Sequence, residues 1–148
     1  MFFILFVIFI VVGEWYLKNY MEANYDFKTE KLILNNNIRL RKYHNYGAFL
    51  NVMETKKKLL HAISLIFTFF ISIFFFLTLF QKGNKLLKLG LTLLLGGAFS
   101  NTYDRLSRNY VIDYFSFCTP FHAFNKIVFN LSDFCILIGT LLSVLFSK

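Results

Sequence analysis

Asp113 stands among apolar residues in Val111-Ile112-Asp113-Tyr114-Phe115, and Asp133, in Phe129-Asn130-Leu131-Ser132-Asp133-Phe134, sits one turn or two inside the predicted last helix. An ionisable group in such surroundings is expensive to keep and by default marks function. Two carboxylates that share a site cannot both ionise easily, so their pKa values split. The ionised member can act as general base on a water, and the protonated member can donate to a carbonyl oxygen. Such a pair hydrolyses an amide without a covalent intermediate, a metal or a cofactor. Burial alone leaves a second reading equally open, in which Asp133 is the structural partner of a Lys or Arg on a neighbouring helix.

Polar residues gather around the two acids. Asn130 and Asp133 are spaced i, i+3 and Asn101 and Arg105 i, i+4, so each pair shares a helix face. Asp113 lies on the connection between them and can reach both. The alternative for the asparagines is interhelical hydrogen bonding, worth about 0.6 kcal/mol each in a membrane. Other chemistries find no support. The three histidines (His44, His61, His122) and two cysteines (Cys118, Cys135) form no cluster at metal-ligand spacing. No serine-nucleophile motif or phosphate-binding glycine loop occurs. We therefore expect neither metal nor cofactor.

The elements that must position these residues are membrane spans. The chain has 148 residues, enough for one domain, and is 57% hydrophobic and only 16% charged, against about 25% charged in a soluble domain. Residues 59–80 contain no Lys, Arg, Asp or Glu, and about 20 such residues cross a bilayer core. Further apolar runs at about 1–17, 86–103 and 127–147 complete four predicted transmembrane helices, with long loops at 18–58 and 104–126. The first run has no basic segment before it and no small-residue cleavage site, so it reads as an uncleaved helix. The fold class is membrane all-α, in a single domain over 1–148.

Within the first loop, Ile38-Arg39-Leu40-Arg41 alternates apolar and basic, the pattern of a half-buried strand. The Asn35-Asn36-Asn37 triplet suits a turn, so a small hairpin is expected over about 30–43. A short interfacial helix is expected over 48–58. Both long loops lie on one side of the membrane and carry twelve of the sixteen Lys and Arg; the positive-inside rule would make that side cytoplasmic. The formal net charge of +8 is spread along these loops, where lipid phosphates account for it without a nucleic-acid partner.

Taken in order, the motifs resemble lipoprotein signal peptidase, signal peptidase II. Gly96-Gly97-Ala98-Phe99-Ser100-Asn101-Thr102-Tyr103-Asp104-Arg105 is similar to that family's Gly-Asn-x-x-Asp-Arg. Val111-Ile112-Asp113-Tyr114 is similar to its Val-x-Asp-Phe, and Phe129-Asn130-Leu131-Ser132-Asp133 to its Phe-Asn-x-Ala-Asp. Asn45-Tyr46-Gly47-Ala48-Phe49 resembles its Asn-x-Gly-Ala-Ala-Phe segment, and Glu14…Lys18 its Asp-Gln-x-x-Lys. The resemblance implies an aspartic endopeptidase of the bacterial cytoplasmic membrane, cutting prolipoproteins before a diacylglyceryl-modified Cys. It assigns Asp113 and Asp133 to the catalytic dyad. Asn45, Asn101, Arg105, Asn130, Glu14 and Lys18 line the site and position substrate, and Asp104 and Gly47 are structural.

The partners implied are lipid-modified prolipoproteins and membrane lipids, with the chain a monomer. The 30–43 hairpin becomes a small extracellular β-cradle, both long loops lie outside against the charge count, both termini are cytoplasmic, and the site is near the outer leaflet. The sequence departs from the pattern at Glu14 (Asp in the family), Ser100 (Gly) and Ser132 (Ala). Glu14→Asp reads as a return to the pattern that keeps or raises activity. The alternative reading is a catalytically altered or inactive relative of the same fold, acting as membrane scaffold or accessory factor.

Overall fold

The computed structural model describes residues 1–47 and 56–147. Helix α1 (Phe2–Asn24) runs seven residues past the end expected for the first span. Charges at Glu14 and Lys18 would ordinarily end an apolar run. Here both are buried and paired inside the protein, each about 1% exposed, and the helix continues. After it come strands β1 (Glu30–Ile33) and β2 (Ile38–Asn45), then α2 (Lys57–Leu79) and α3 (Lys85–Arg108). Strand β3 (Val111–Phe117), the one-turn α4 (His122–Asn125) and α5 (Leu131–Leu145) complete the chain. Most of the expected interfacial helix, residues 48–55, lies outside the described residues.

The expected hairpin is present. β1 and β2 pair antiparallel, Ile33 opposite Ile38. Leu34, Asn35 and Asn36 make the turn at positive φ, and the Asn37 N–H closes it onto the Leu34 carbonyl. Asparagine tolerates that backbone region, which is why the triplet sits there. The sheet has a third strand that the second long loop was not expected to contain. β3 pairs antiparallel with β2, giving the order β1-β2-β3. Its Val-Ile-Asp-Tyr-Phe run shows no alternation because residues on both of its faces are buried.

The last helix is shorter than the predicted 127–147 span. Phe129 is tied to β3 instead, through hydrogen bonds between its N–H and the Phe115 carbonyl and from the Tyr114 and Phe115 N–H groups to its own carbonyl. Asn130 then caps α5. Its side chain accepts from the Asp133 N–H, and the Asp133 carboxylate accepts from the Asn130 N–H, a reciprocal capping box. Asp133 is thus in the first turn of the helix. Among the described residues, two helices, α1 and α2, are long and apolar enough to cross a membrane by length and composition. α3 is long but carries the polar site residues, and α5 has 15 residues.

α3 is the central helix, packed against α1, α2 and α5. Val7 of α1, Phe75 of α2, and Leu91 and Leu95 of α3 form one buried cluster. α5 approaches much more closely. A Cβ on Gly139 would lie 2.4 Å from the Leu94 nitrogen, and one on Gly97 would lie 2.5 Å from the Ser132 carbonyl oxygen. Small residues let helix backbones touch in this way without a hydrophobic driving force. The Gly97 contact sits directly behind the first turn of α5 and so bears on where Asp133 stands.

Candidate active site

β3 brings Asp113 to the site from the sheet, and α5 brings Asp133 from the helix bundle. β2 contains one extra residue between Leu40 and Tyr43, so that Leu40 faces Phe115 while Tyr43 faces Asp113. Such a bulge re-aims side chains beyond it. Past it, the Asn45 Nδ2 donates to Asp113 Oδ2 at 2.9 Å. Asn130 bridges the two acids: its Nδ2 donates to Asp113 Oδ1 at 2.7 Å and its backbone N–H to Asp133 Oδ2 at 3.0 Å. The Asn101 Nδ2 donates to Asp133 Oδ1 at 3.0 Å.

Three asparagine amides therefore aim their NH2 groups at carboxylates, and a second contact fixes each orientation. The carbonyl oxygen of Asn45 accepts from the Gly47 N–H, that of Asn101 from Lys18 Nζ, and that of Asn130 from the Asp133 N–H. An amide flipped end for end would lose both contacts. Asp113 is 2% exposed. Burial foremost, and then the Asp133 charge, push its carboxyl up to about 8, while the hydrogen bonds from Asn45 and Asn130 and the charge of Lys18 pull it down.

Both acids open on one cavity of about 600 Å³, together with Asn45, Asn101 and Arg105. Its remaining wall is apolar but for Thr140, from Val111, Ile127, Val128 and Phe129 and from the α5 face of Ile136, Leu137, Leu141 and Val144. Polar groups converge at one end of an apolar pocket, the usual form of a small-molecule or peptide site. The two η nitrogens of Arg105 donate to the carbonyls of Asn101 and Gly47, at 3.3 and 3.5 Å. Its Nε is buried without a partner among the described residues.

Glu14 and Lys18, expected to line the site, stand one layer behind it and do not open on the cavity. Lys18 Nζ is 2.9 Å from each of Asp104 Oδ2, Ser100 Oγ and Asn101 Oδ1, and 3.6 Å from Glu14 Oε2. Asp104 also pairs with Arg108 and accepts from the Ile112 N–H, so it ties the end of α3 to the start of β3. Asn130 likewise faces the acids rather than the cavity. Gly47 supplies one N–H to Asn45 and one carbonyl to Arg105.

Two residues of this layer carried no role in the sequence reading. The Tyr114 hydroxyl donates to Glu14 Oε1, and Ser132 donates to Glu14 Oε2 through both its hydroxyl and its N–H. Burial and then the Glu14 carboxylate push the Tyr114 phenol well above its ordinary value, so it remains a donor. A tyrosine in a buried strand signals that its hydroxyl has a partner, but nothing local reveals a partner 100 residues away.

Residues 5–147 match the family described as Signal peptidase (SPase) II. The chain belongs to that family. Signal peptidase II enzymes are bacterial integral-membrane peptidases that process lipoproteins. The fold is also similar to two solved structures, each described as a bacterial membrane enzyme determined by the in meso method, at 2.3 Å and 1.9 Å. The first is 21% identical with a TM-score of 0.82, covering 97% of this chain and 85% of the other. The second is 20% identical with a TM-score of 0.80, covering 97% and 90%. At these identities the likeness is one of fold.

Proposed function

We propose that this signal peptidase II family member is an aspartic endopeptidase that removes the signal peptide from diacylglyceryl-modified prolipoproteins, cutting before the lipidated Cys, with Asp113 and Asp133 as its dyad. The observation that carries the reading is the Asn130 bridge, which makes one hydrogen-bonded unit of two carboxylates from different elements. The unit holds one shared proton, so neither role is assigned to one residue. The ionised carboxylate takes a proton from an attacking water, and the protonated one donates to the scissile carbonyl as the tetrahedral intermediate forms. Arg105 and Asn45 orient the substrate backbone at the polar end of the cavity. The apolar wall along α5 receives the lipid-bearing part of the substrate.

In this reading α1, α2, α3 and α5 all lie across the membrane, with the sheet outside, both termini in the cytoplasm and the dyad near the outer leaflet. Purified full-length protein in lipid should cleave a diacylglyceryl-modified precursor peptide. Mass spectrometry should find the lipidated Cys at the new N-terminus, and the same peptide with an unmodified Cys should be cut at least about tenfold more slowly, since the acyl chains supply apolar burial in the cavity. Equal cleavage of both peptides would remove the lipid from the substrate definition; cleavage of neither would contradict the reading.

A further inference from the structure

Besides the exposed Trp15 (Gln in the pattern) and one Ala fewer after Gly47, four positions differ from the residue pattern that the chain otherwise resembles: Glu14 (Asp in the pattern), Ser100 (Gly), Tyr114 (Phe) and Ser132 (Ala). All four meet in one buried network. Tyr114 Oη is 2.5 Å from Glu14 Oε1, Ser132 Oγ is 2.8 Å from Glu14 Oε2, and Lys18, beside Glu14, donates to Ser100 Oγ at 2.9 Å. Each hydroxyl taken alone would be a buried polar group in need of a partner. Together with a carboxylate one methylene longer, they satisfy one another.

This network holds the start of α5. The first N–H groups of a helix have no partner within it. Here the Leu131 N–H donates to Tyr114 Oη at 3.1 Å, the Ser132 N–H to Glu14 Oε2 at 3.2 Å, and the Asp133 N–H to Asn130 Oδ1 at 3.0 Å. Glu14, Tyr114 and Ser132 do not line the cavity. They grip the turn that carries Asp133.

We infer that Glu14 is a positioning residue for Asp133: through Tyr114 and Ser132 it sets the depth and rotation of the first turn of α5, and hence how Asp133 meets Asp113. The inference rests on the dyad reading above. It reverses the expectation for Glu14→Asp. A carboxylate one methylene shorter withdraws from both hydroxyls and leaves them buried without an acceptor. The shorter acid fits only where those hydroxyls are absent, as in the pattern with Phe and Ala.

The test is kcat and KM per folded enzyme, on the lipid-modified precursor peptide, for wild type, Glu14→Asp, Tyr114→Phe/Ser132→Ala and the triple variant. Residues in one network couple by up to tens-fold. Glu14→Asp should lower kcat about tenfold with KM within about twofold, and the double variant should lose a similar factor. The triple variant should return to within about threefold of wild type.

A kcat for Glu14→Asp at or above wild type would overturn the inference. So would losses that simply multiply in the triple variant, a loss confined to KM, or a loss confined to folded yield. Should Glu14→Asp not fold, adding it to Tyr114→Phe/Ser132→Ala must still raise kcat, and failure to do so is decisive. Asp133→Asn serves as the separate control. If it cleaves normally, the dyad reading fails; if it is inactive while the Glu14 variants act independently, only the present inference fails.

Discussion

The Asp113 carboxyl illustrates how much a single residue depends on its surroundings. Its ordinary value is 3.8, and burial with Asp133 lifts it to about 8. A carboxyl raised on folding binds its proton more tightly in the folded state, so stability falls as pH rises between those two values. The change in thermal unfolding midpoint on Asp113→Asn should therefore be more favourable at pH 9 than at pH 5, measured in detergent. The pH profile of kcat/KM should be bell-shaped, with an alkaline limb near the upper value as the shared proton is lost. The Asn45 hydrogen bond favours the charged form of Asp113, so Asn45→Ala should move that limb to higher pH. A limb that stays in place would detach Asn45 from the dyad. Asp113, Asp133 and their asparagines were legible in the sequence because acids and amides among apolar residues are conspicuous. The layer behind them was not. Tyr114 and Ser132 are ordinary in strand and helix, and only the fold reveals that both meet Glu14.

At the scale of elements, the hairpin was legible because Ile38-Arg39-Leu40-Arg41 alternates apolar and basic in half-buried β2 and the turn contains three asparagines. β3 was not, since a strand buried on both faces has no periodicity to read. The boundaries of α1 and α5 were missed for related reasons. Paired charges inside α1 do not break it, and Phe129, at the end of the apolar 127–129 segment, joins the sheet before the helix starts. A 15-residue helix is about 22 Å long, less than a bilayer core of about 30 Å. If the far end of α5 reaches one face of the core, its first turn and Asp133 lie below the other, at the depth of acyl chains. α5 can sit so close to α3 only because of glycine. Gly139→Leu should destabilise the fold by about 3 kcal/mol or more, measured as unfolding midpoint and yield of monodisperse protein. Gly13, whose Cβ would meet nothing within 4 Å, is the contrast: Gly13→Ala should be neutral or stabilise by about 0.5–1 kcal/mol. Similar behaviour of the two variants would contradict the packing account.

For the whole molecule, charge and resemblance give opposite orientations. The charge count treats each Lys and Arg as a loop charge. In the fold, Lys18 is buried against Asp104, Arg39 and Arg41 pair with Glu30, Lys42 with Glu22, and Arg108 with Asp104. Positive charge is only a bias on orientation, and here much of it is engaged in ion pairs within the sheet, between α1 and α3, within α3 and, through Lys42 and Glu22, between the sheet and α1. We expect the sheet outside. A cysteine at the hairpin turn, Asn36→Cys in a Cys118→Ser background, should react with an impermeant thiol reagent in intact cells. Labelling only after permeabilisation would reverse the topology and put the site on the cytoplasmic side.

The central claim is that Asp113 and Asp133 act as one unit. Asp→Asn keeps size and removes the ionisable proton, at the cost of turning one acceptor oxygen into an NH2 that faces a donor; an amide is otherwise cheaper than an acid at membrane depth. General acid–base catalysis contributes about 10²–10⁴-fold. Groups that act together give non-additive losses. The decisive measurement is turnover of the lipid-modified precursor at matched folded protein for Asp113→Asn, Asp133→Asn and the double variant, with Asp104→Asn as a structural contrast. Each single variant should lose at least about a hundredfold, the double should be little worse than either, and Asp104→Asn should retain turnover. Near-normal cleavage by Asp113→Asn or Asp133→Asn would contradict the account.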